Sequence, residues 1–182
     1  MIVSVSRPDT DCVFLTGSAG TGKTLTLSEA LKIKLSKLKL RGTDVQIFVV
    51  SFGTLPTELL DKYREEYLSN IENIVFTNIK QLCGDLNIRF DEWAPQSTMN
   101  NVVRSLSDKY AESHVILLCD EVECYESSDW SNMETCHNVI WLLAINPRSR
   151  FGDVNTKIVP PTFDDVLSQQ LLIKYRNCHQ IR

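Results

Sequence analysis

A glycine-rich stretch near the start, Gly17-Ser18-Ala19-Gly20-Thr21-Gly22-Lys23-Thr24, constrains the fold more than any other feature. It has the spacing G-x-x-x-x-G-K-T, in which backbone N–H groups surround phosphate oxygens. Residues 12–16 before it form a short apolar run typical of a buried strand. After it, leucines recur at helical spacing: Leu27, Leu31, Leu35 and Leu38. Strand, loop and helix N-terminus together favour a bound phosphate, and the alternative is a glycine turn that binds nothing.

Composition and charge narrow the class of protein. A chain of 182 residues suits one domain with a good core. The 43% hydrophobic and 23% charged residues are ordinary for a soluble globular protein. The net charge of −4 means that the chain as a whole does not attract nucleic acid, although a local basic strip would suffice.

The cysteines indicate a reducing compartment. None of the six forms a C-x-x-C pair, and two of them, Cys12 and Cys119, lie in predicted core strands. Three others, with His137 and His179, match no common zinc spacing. The start of the chain has no secretory signal, and no apolar run is long enough to span a membrane. We therefore expect an intracellular protein, cytoplasmic or nuclear.

Apolar runs alternate with helical patterns along the chain. Strands are predicted at 12–16, 44–50, 71–77, 115–119 and 139–145, and helices at 23–40, 56–68, 79–86 and 98–112. Gly42 is expected to end the first helix. Residues 122–129 are expected to form an acidic, polar loop. The alternation predicts an α/β fold, with a mostly parallel sheet and helices on both faces.

Polar residues follow the predicted strands, where ligands bind in such sheets. In a P-loop, Lys23 would reach the β- and γ-phosphates of a nucleotide, and the Thr24 hydroxyl would hold Mg²⁺. Asp120, at the tip of an apolar strand, is suited to the same Mg²⁺, and Glu121 to orienting or deprotonating an attacking water. The alternative is that the acidic pair simply ends a strand.

Asn146 follows the fifth predicted strand, where its amide would sense the γ-phosphate or position the water. Arg148 is close enough in sequence to add positive charge there. The alternative for both residues is structural, because Asn-Pro dipeptides commonly begin a turn.

The order of these features resembles the first RecA-like domain of a superfamily 1 helicase of the UvrD/Rep type. The glycine-rich stretch is similar to motif I of that family. Four further stretches resemble its motifs Ia, Ib, II and IV: Val49–Thr54, Val75–Leu82, Leu118–Glu123 and Leu171–Asn177. The last of them contains the Tyr175-Arg176 pair that is typical of motif IV.

The resemblance implies further site residues. Tyr175 would stack on the adenine of ATP, and Arg176 would reach the γ-phosphate as an arginine finger does. Ser51, Thr54 and Thr77 would face a single strand of nucleic acid. In this sequence Ala144–Arg148 stands where the family has motif III, and no upstream glutamine marks an adenine-reading motif.

The resemblance also implies a division of the chain and an activity. Residues 1–168 would be the RecA-like ATP-binding domain, and residues 169–182 a segment that leads toward a second lobe absent from this sequence. We expect an ATP- and Mg²⁺-dependent hydrolase that is an incomplete motor by itself. A regulatory nucleotide-binding switch without nucleic acid is the first alternative. A small-molecule kinase is the second, although residues 122–129 supply no arginine lid.

Overall fold

The structure is a computed structural model, and parts of the chain are described. These parts are residues 12–17, 21–40, 42, 44–52, 65, 68, 71, 74–92, 95–124, 136–147 and 166–171. At residues 95–96, 121, 123–124, 146–147 and 166–171 only the backbone is described. The predicted helix 56–68 therefore lies outside the described residues, except for two isolated positions.

Six parallel strands form one sheet in the order β3-β2-β4-β5-β1-β6. The strands are β1 (Cys12–Gly17), β2 (Val45–Ser51), β3 (Ile74–Asn78), β4 (His114–Cys124), β5 (Val139–Pro147) and β6 (Val166–Leu171). The described helices are α1 (Lys23–Leu40), α2 (Ile79–Asp85) and α3 (Pro95–Lys109). The prediction of an α/β fold with a parallel sheet is confirmed.

Helices cover both faces of the sheet. On one face, the leucines of α1 pack against alternate residues of β1, β2, β4 and β5, and we call this the α1 face. On the other, α2 and α3 pack against the intervening strand residues, including Phe14, Phe48 and Trp141, and we call this the α3 face. Because successive strand residues point to opposite faces, near-continuous apolar runs are what a sheet covered on both sides requires.

Helix boundaries follow local chemistry. Helix α1 has the predicted bounds, and Gly42 beyond it has a φ of +67° and donates its N–H to Lys39 O at 3.0 Å. Helix α2 is capped by Asn78, whose side chain accepts a hydrogen bond from Gln81 N at 2.9 Å. Helix α3 begins at Pro95, earlier than predicted, because proline suits the first turn, where its missing N–H costs nothing.

The strand that contains the acidic pair is longer than predicted. The sequence predicts that this strand ends in Asp120 and Glu121, but β4 continues through Cys124 and pairs with β5 beyond the acidic pair. The prediction of a loop from residue 122 is therefore wrong for residues 122–124, and the rest of that loop lies outside the described residues. Residues 122–124 are paired with β5 through their backbone groups. The acidic, polar composition of this segment does not predict that pairing.

The fifth strand is also longer than predicted. The sequence predicts that Asn146 and Pro147 follow the strand, but both lie within β5, and Asn146 pairs in register with Glu123.

Strand β6 lies at one edge of the sheet. It pairs with β1 along its whole length, from Cys12 with Val166 to Gly17 with Leu171. Residues 169–171 thus belong to the same sheet as β1, and residues 172–182 lie outside the described residues. Among the described residues, no helix has the length and apolar character needed to cross a membrane.

Candidate functional site

The connection from β1 to α1 builds one side of the site. Strand β1 ends at Gly17 and α1 starts at Lys23; between them, Ser18, Ala19 and Gly20 lie outside the described residues. Gly22 has a φ of +85°, a conformation that favours glycine. Its carbonyl accepts hydrogen bonds from both the N–H and the hydroxyl of Thr26, each at 3.0 Å. This glycine therefore sets the direction in which α1 leaves the loop.

The Lys23 side chain folds back toward the end of β1. Its Nζ donates a hydrogen bond to Gly17 O at 2.7 Å, and the residue is only 6% exposed. An ammonium group that leaves water loses much of its hydration energy, so it is kept where polar groups compensate. The bond to Gly17 holds this positive charge between the end of β1 and the N-terminal end of α1.

Thr24 links the loop to the middle of the chain. Its Oγ1 donates a hydrogen bond to Asp120 Oδ2 at 2.5 Å, across 96 residues of sequence. The hydroxyl lies in the first turn of α1, and the carboxylate lies near the carboxyl end of β4. A hydroxyl-to-carboxylate bond of this length is at the short end of the range for a charged acceptor. The two residues predicted to share a metal ion are thus in direct contact.

An irregularity in β4 coincides with Asp120. The pairing with β5 is regular up to Cys119 opposite Leu143, then shifts, and resumes with Val122 opposite Ile145. Strand β4 therefore has one residue more than β5 across this interval, which is the geometry of a β-bulge. Bulges are common beside active sites because they change the direction of a side chain locally. The sequence contains no signal for this bulge.

The carboxyl ends of the neighbouring strands lie beside Asp120. In register, Asp120 pairs with Ser51 of β2, and Ser51 pairs with Asn78 of β3. The N–H of Phe52 continues this ladder by donating to Asp120 O at 3.4 Å. Ser51 is 2% exposed. The polar carboxyl ends of three neighbouring strands thus lie side by side, as expected for a parallel sheet.

Cys119 directly precedes Asp120 in β4, and its thiol is affected by the charge of that carboxylate. Its side chain belongs to the α3 face and is fully buried. Burial raises the pKa of this thiol well above its ordinary value, and the negative charge of Asp120 raises it further. The thiol is therefore neutral and packs as an apolar group.

Several predicted residues are only partly described. Glu121 and Asn146 have their backbones in β4 and β5, and their side chains lie outside the described atoms. Thr54, Arg148, Tyr175 and Arg176 lie outside the described residues. The predicted roles of these six residues stay predictions.

The residues predicted to contact nucleic acid are buried where they are described. Ser51 is 2% exposed and Thr77 is 6% exposed. Thr77 Oγ1 donates to the carbonyl of Asn78 at 3.2 Å, within its own strand end. Neither hydroxyl is presented to solvent in this structure.

Two relationships could not be read from the sequence. One is the bond from Lys23 to Gly17 O, which depends on the path of the loop. The other is the pairing of Ser51 with Asp120, which depends on strand register. The apolar runs before these residues predict the strands, but a run does not specify which strands are neighbours or how they align.

Comparison with known proteins gives no further identification. No model of a protein family matches the sequence, and a search of curated proteins also finds no match. The proposed function therefore depends on the residues of this chain.

Proposed function

We propose that this protein is a P-loop NTPase domain that binds ATP together with Mg²⁺ and hydrolyses it. The observation that carries the proposal is the 2.5 Å hydrogen bond between Thr24 Oγ1 and Asp120 Oδ2. A glycine turn with a purely structural role has no need of a hydroxyl in contact with a carboxylate from a strand 96 residues away. In a P-loop NTPase, both groups serve the same metal ion.

Lys23 supports the phosphate-binding part of the proposal. The ammonium group is buried against Gly17 O, beside the N-terminus of α1. Both the charge and the helix terminus attract an anion. We propose that Lys23 exchanges the carbonyl of Gly17 for phosphate oxygens when nucleotide binds, so that its charge is neutralised without leaving the loop.

The residues present fit a magnesium ion. Mg²⁺ prefers oxygen ligands, usually one or two from the protein with the remainder from phosphate and water. Thr24 and Asp120 supply a hydroxyl and a carboxylate that are already adjacent. A bound ion there would neutralise charge on the phosphates. Among the described residues no cluster of three or more acidic, histidine or cysteine side chains forms a separate metal site.

The hydrolytic part of the proposal rests on the sequence. Glu121 is the proposed group that orients or deprotonates the attacking water, and Asn146 is proposed to sense the γ-phosphate. Arg176 and Tyr175 keep the roles implied by the resemblance, with the guanidinium on the γ-phosphate and the phenol ring on the adenine. The β-bulge at Asp120 is compatible with a specialised function for this part of β4.

More narrowly, we propose a RecA-like domain similar to the first lobe of a superfamily 1 helicase. The parallel sheet with helices on both faces and the order of the motifs along the chain support it. A nucleotide-binding regulatory module without nucleic acid is the second candidate. It is favoured by the net charge of −4 and by the burial of Ser51 and Thr77.

Nucleotide affinity tests the proposal directly. Calorimetric titration with the non-hydrolysable analogue AMP-PNP and Mg²⁺ should give saturable binding to the wild-type protein. Lys23→Ala should weaken this binding about 10- to 100-fold, because it removes a charge-assisted hydrogen bond to phosphate. Lys39→Ala removes the same charge from an exposed position of the same helix and should bind like the wild type. Equal affinities for all three proteins, or no binding to the wild type, would contradict the proposal.

A further inference from the structure

We infer that Ser51 is a positioning residue for Asp120, holding its carboxylate in the orientation needed to bind the metal ion. The inference rests on the proposed function, since it assigns Ser51 a part in the Mg²⁺-dependent step of nucleotide binding. It also replaces the expectation that Ser51 contacts a strand of nucleic acid.

Strand register brings the two residues together. Strands β2 and β4 pair in parallel without interruption from Val45 opposite His114 to Ser51 opposite Asp120. The hydrogen bond from Phe52 N to Asp120 O continues the pairing by one step. Because neighbouring strands lie about 4.8 Å apart, side chains that are paired in register are within reach of each other when they share a face.

Alternation along the strands puts both side chains on the α1 face. Ile47 and Val49 of β2 pack in the cluster formed with α1, and Ser51 is next in that alternation. Ile116 and Leu118 of β4 pack in the same cluster, and Asp120 is next in theirs. The bond from Thr24 to Asp120 confirms this direction for the carboxylate, since Thr24 belongs to α1.

The chemistry of the two groups is complementary. A carboxylate has two oxygens that together accept about four hydrogen bonds, and Thr24 is bonded to Oδ2. A serine hydroxyl is a donor that rotates to suit an acceptor. With 2% of its surface exposed, Ser51 can act on a neighbouring side chain far more readily than on a polymer in solvent.

Thr77 supplies an internal contrast. It lies at the end of the adjacent strand and is also buried. Ile74 and Phe76 pack with the α1 cluster in its strand, so the alternation puts Thr77 on the opposite side of the sheet. Of these two hydroxyls at the carboxyl edge, Ser51 is therefore the one on the side of Asp120.

A metal ligand that is held by a neighbouring donor binds its ion more tightly, because less orientational freedom is lost on binding. Ser51 should therefore contribute to the gain in nucleotide affinity that Mg²⁺ provides. It should contribute little to the binding of nucleotide without metal, which depends on the loop and Lys23.

The test is calorimetric titration of AMP-PNP in EDTA and in Mg²⁺, for the wild type, Ser51→Ala and Ser51→Thr. Ser51→Ala should reduce the Mg²⁺-dependent gain in affinity about 3- to 10-fold, with the affinity in EDTA unchanged. Ser51→Thr keeps the hydroxyl and should retain the gain. Ser107→Ala is the matched control, because it removes a half-buried hydroxyl, bonded to Asn138, near the amino ends of the strands.

The outcomes separate this inference from the proposed function. If the wild type binds no AMP-PNP in either solution, the proposed function fails and the inference fails with it. If the wild type gains affinity with Mg²⁺ and Ser51→Ala gains as much, only the inference is overturned. An equal loss in EDTA and in Mg²⁺ would indicate a packing role and would also overturn it. If Ser51→Ala does not fold, the comparison of Ser51→Thr with Ser51→Val decides the same question. These two side chains have nearly the same shape, and only threonine has a hydroxyl.

Discussion

Asp120 stands where three chemically different neighbours meet. The hydroxyl of Thr24 donates to its carboxylate, Ser51 pairs with it across the ladder, and Cys119 precedes it on the other face of the sheet. Burial raises the pKa of the Cys119 thiol, and the negative charge of Asp120 raises it further. Asp120 thus lies among polar groups near the carboxyl end of β4, whereas Cys119, one residue earlier, belongs to the apolar core.

This arrangement predicts an inert thiol at Cys119. With its pKa raised, the thiol stays protonated, and the native protein at about pH 8 should resist alkylation there by iodoacetamide. Because burial is the larger cause, Asp120→Asn should leave Cys119 protected. Mass-spectrometric mapping of alkylated peptides, with the urea-unfolded protein as control, checks both statements. Rapid alkylation of native Cys119 would contradict them.

The same shift has a consequence for stability. The folded protein keeps a proton that the unfolded chain loses near the ordinary thiol pKa of 9.0. The contribution of Cys119 to the free energy of unfolding is therefore complete below about pH 9 and declines as the pH rises above it.

At the scale of elements, α1 connects the site to the core. Its N-terminal turn carries Lys23 and Thr24, and its leucines pack on the sheet below. Glycines stand at both ends, Gly22 with a φ of +85° and Gly42 with a φ of +67°. The helix is thus fixed at its start by Gly22, along its length by packing, and at its end by the left-handed Gly42.

Two glycine substitutions should change stability in opposite directions. Gly42→Ala puts a side chain on a left-handed residue and should lower the free energy of unfolding by about 1–2 kcal/mol. Gly84→Ala lies in α2, where an added Cβ meets nothing within 4 Å, and should raise it by about 0.5–1 kcal/mol. Urea unfolding followed by circular dichroism measures both. The same sign for both variants would contradict the helix-end assignment.

At the scale of the whole molecule, the sheet divides the core in two and gathers the site at one edge. The α1 and α3 faces are separate apolar clusters, and the strands contribute to both by alternation. Strand β5 lies between β1 and β4, so the loop and Asp120 come from strands that are not neighbours. Thr24, in the first turn of α1, connects the two by donating a hydrogen bond to Asp120.

Binding of single-stranded oligonucleotide distinguishes the two candidate functions of the whole molecule. If the domain is the first lobe of a helicase, filter binding of a single-stranded oligonucleotide should be measurable at low salt. The affinity should then fall steeply with added salt, because phosphate contacts release counterions. If it is a regulatory module, the net charge of −4 should leave no such binding while AMP-PNP still binds. A double-stranded oligonucleotide of the same sequence is the control.

Local sequence is sufficient to predict most of the described elements and to indicate candidate residues near the start of the chain. Apolar runs and helical spacing predict α1 at its observed bounds and the cores of β1 to β5, because burial on both faces demands such runs. The glycine spacing identifies Lys23 and Thr24 as the phosphate- and metal-binding candidates. These properties depend on residues that are close together in the chain, so the sequence contains the information that decides them.

Which distant residues meet depends on the tertiary structure. Neighbouring strands and their register set three features of the site. These are the extra residue in β4, the extension of β5 through Pro147, and the pairing of Ser51 with Asp120. An apolar run has no information about its partner, so it predicts a strand without predicting its alignment. The bond between Thr24 and Asp120 is of this kind: each residue is predicted from the sequence, and the order of strands in the sheet brings the two together.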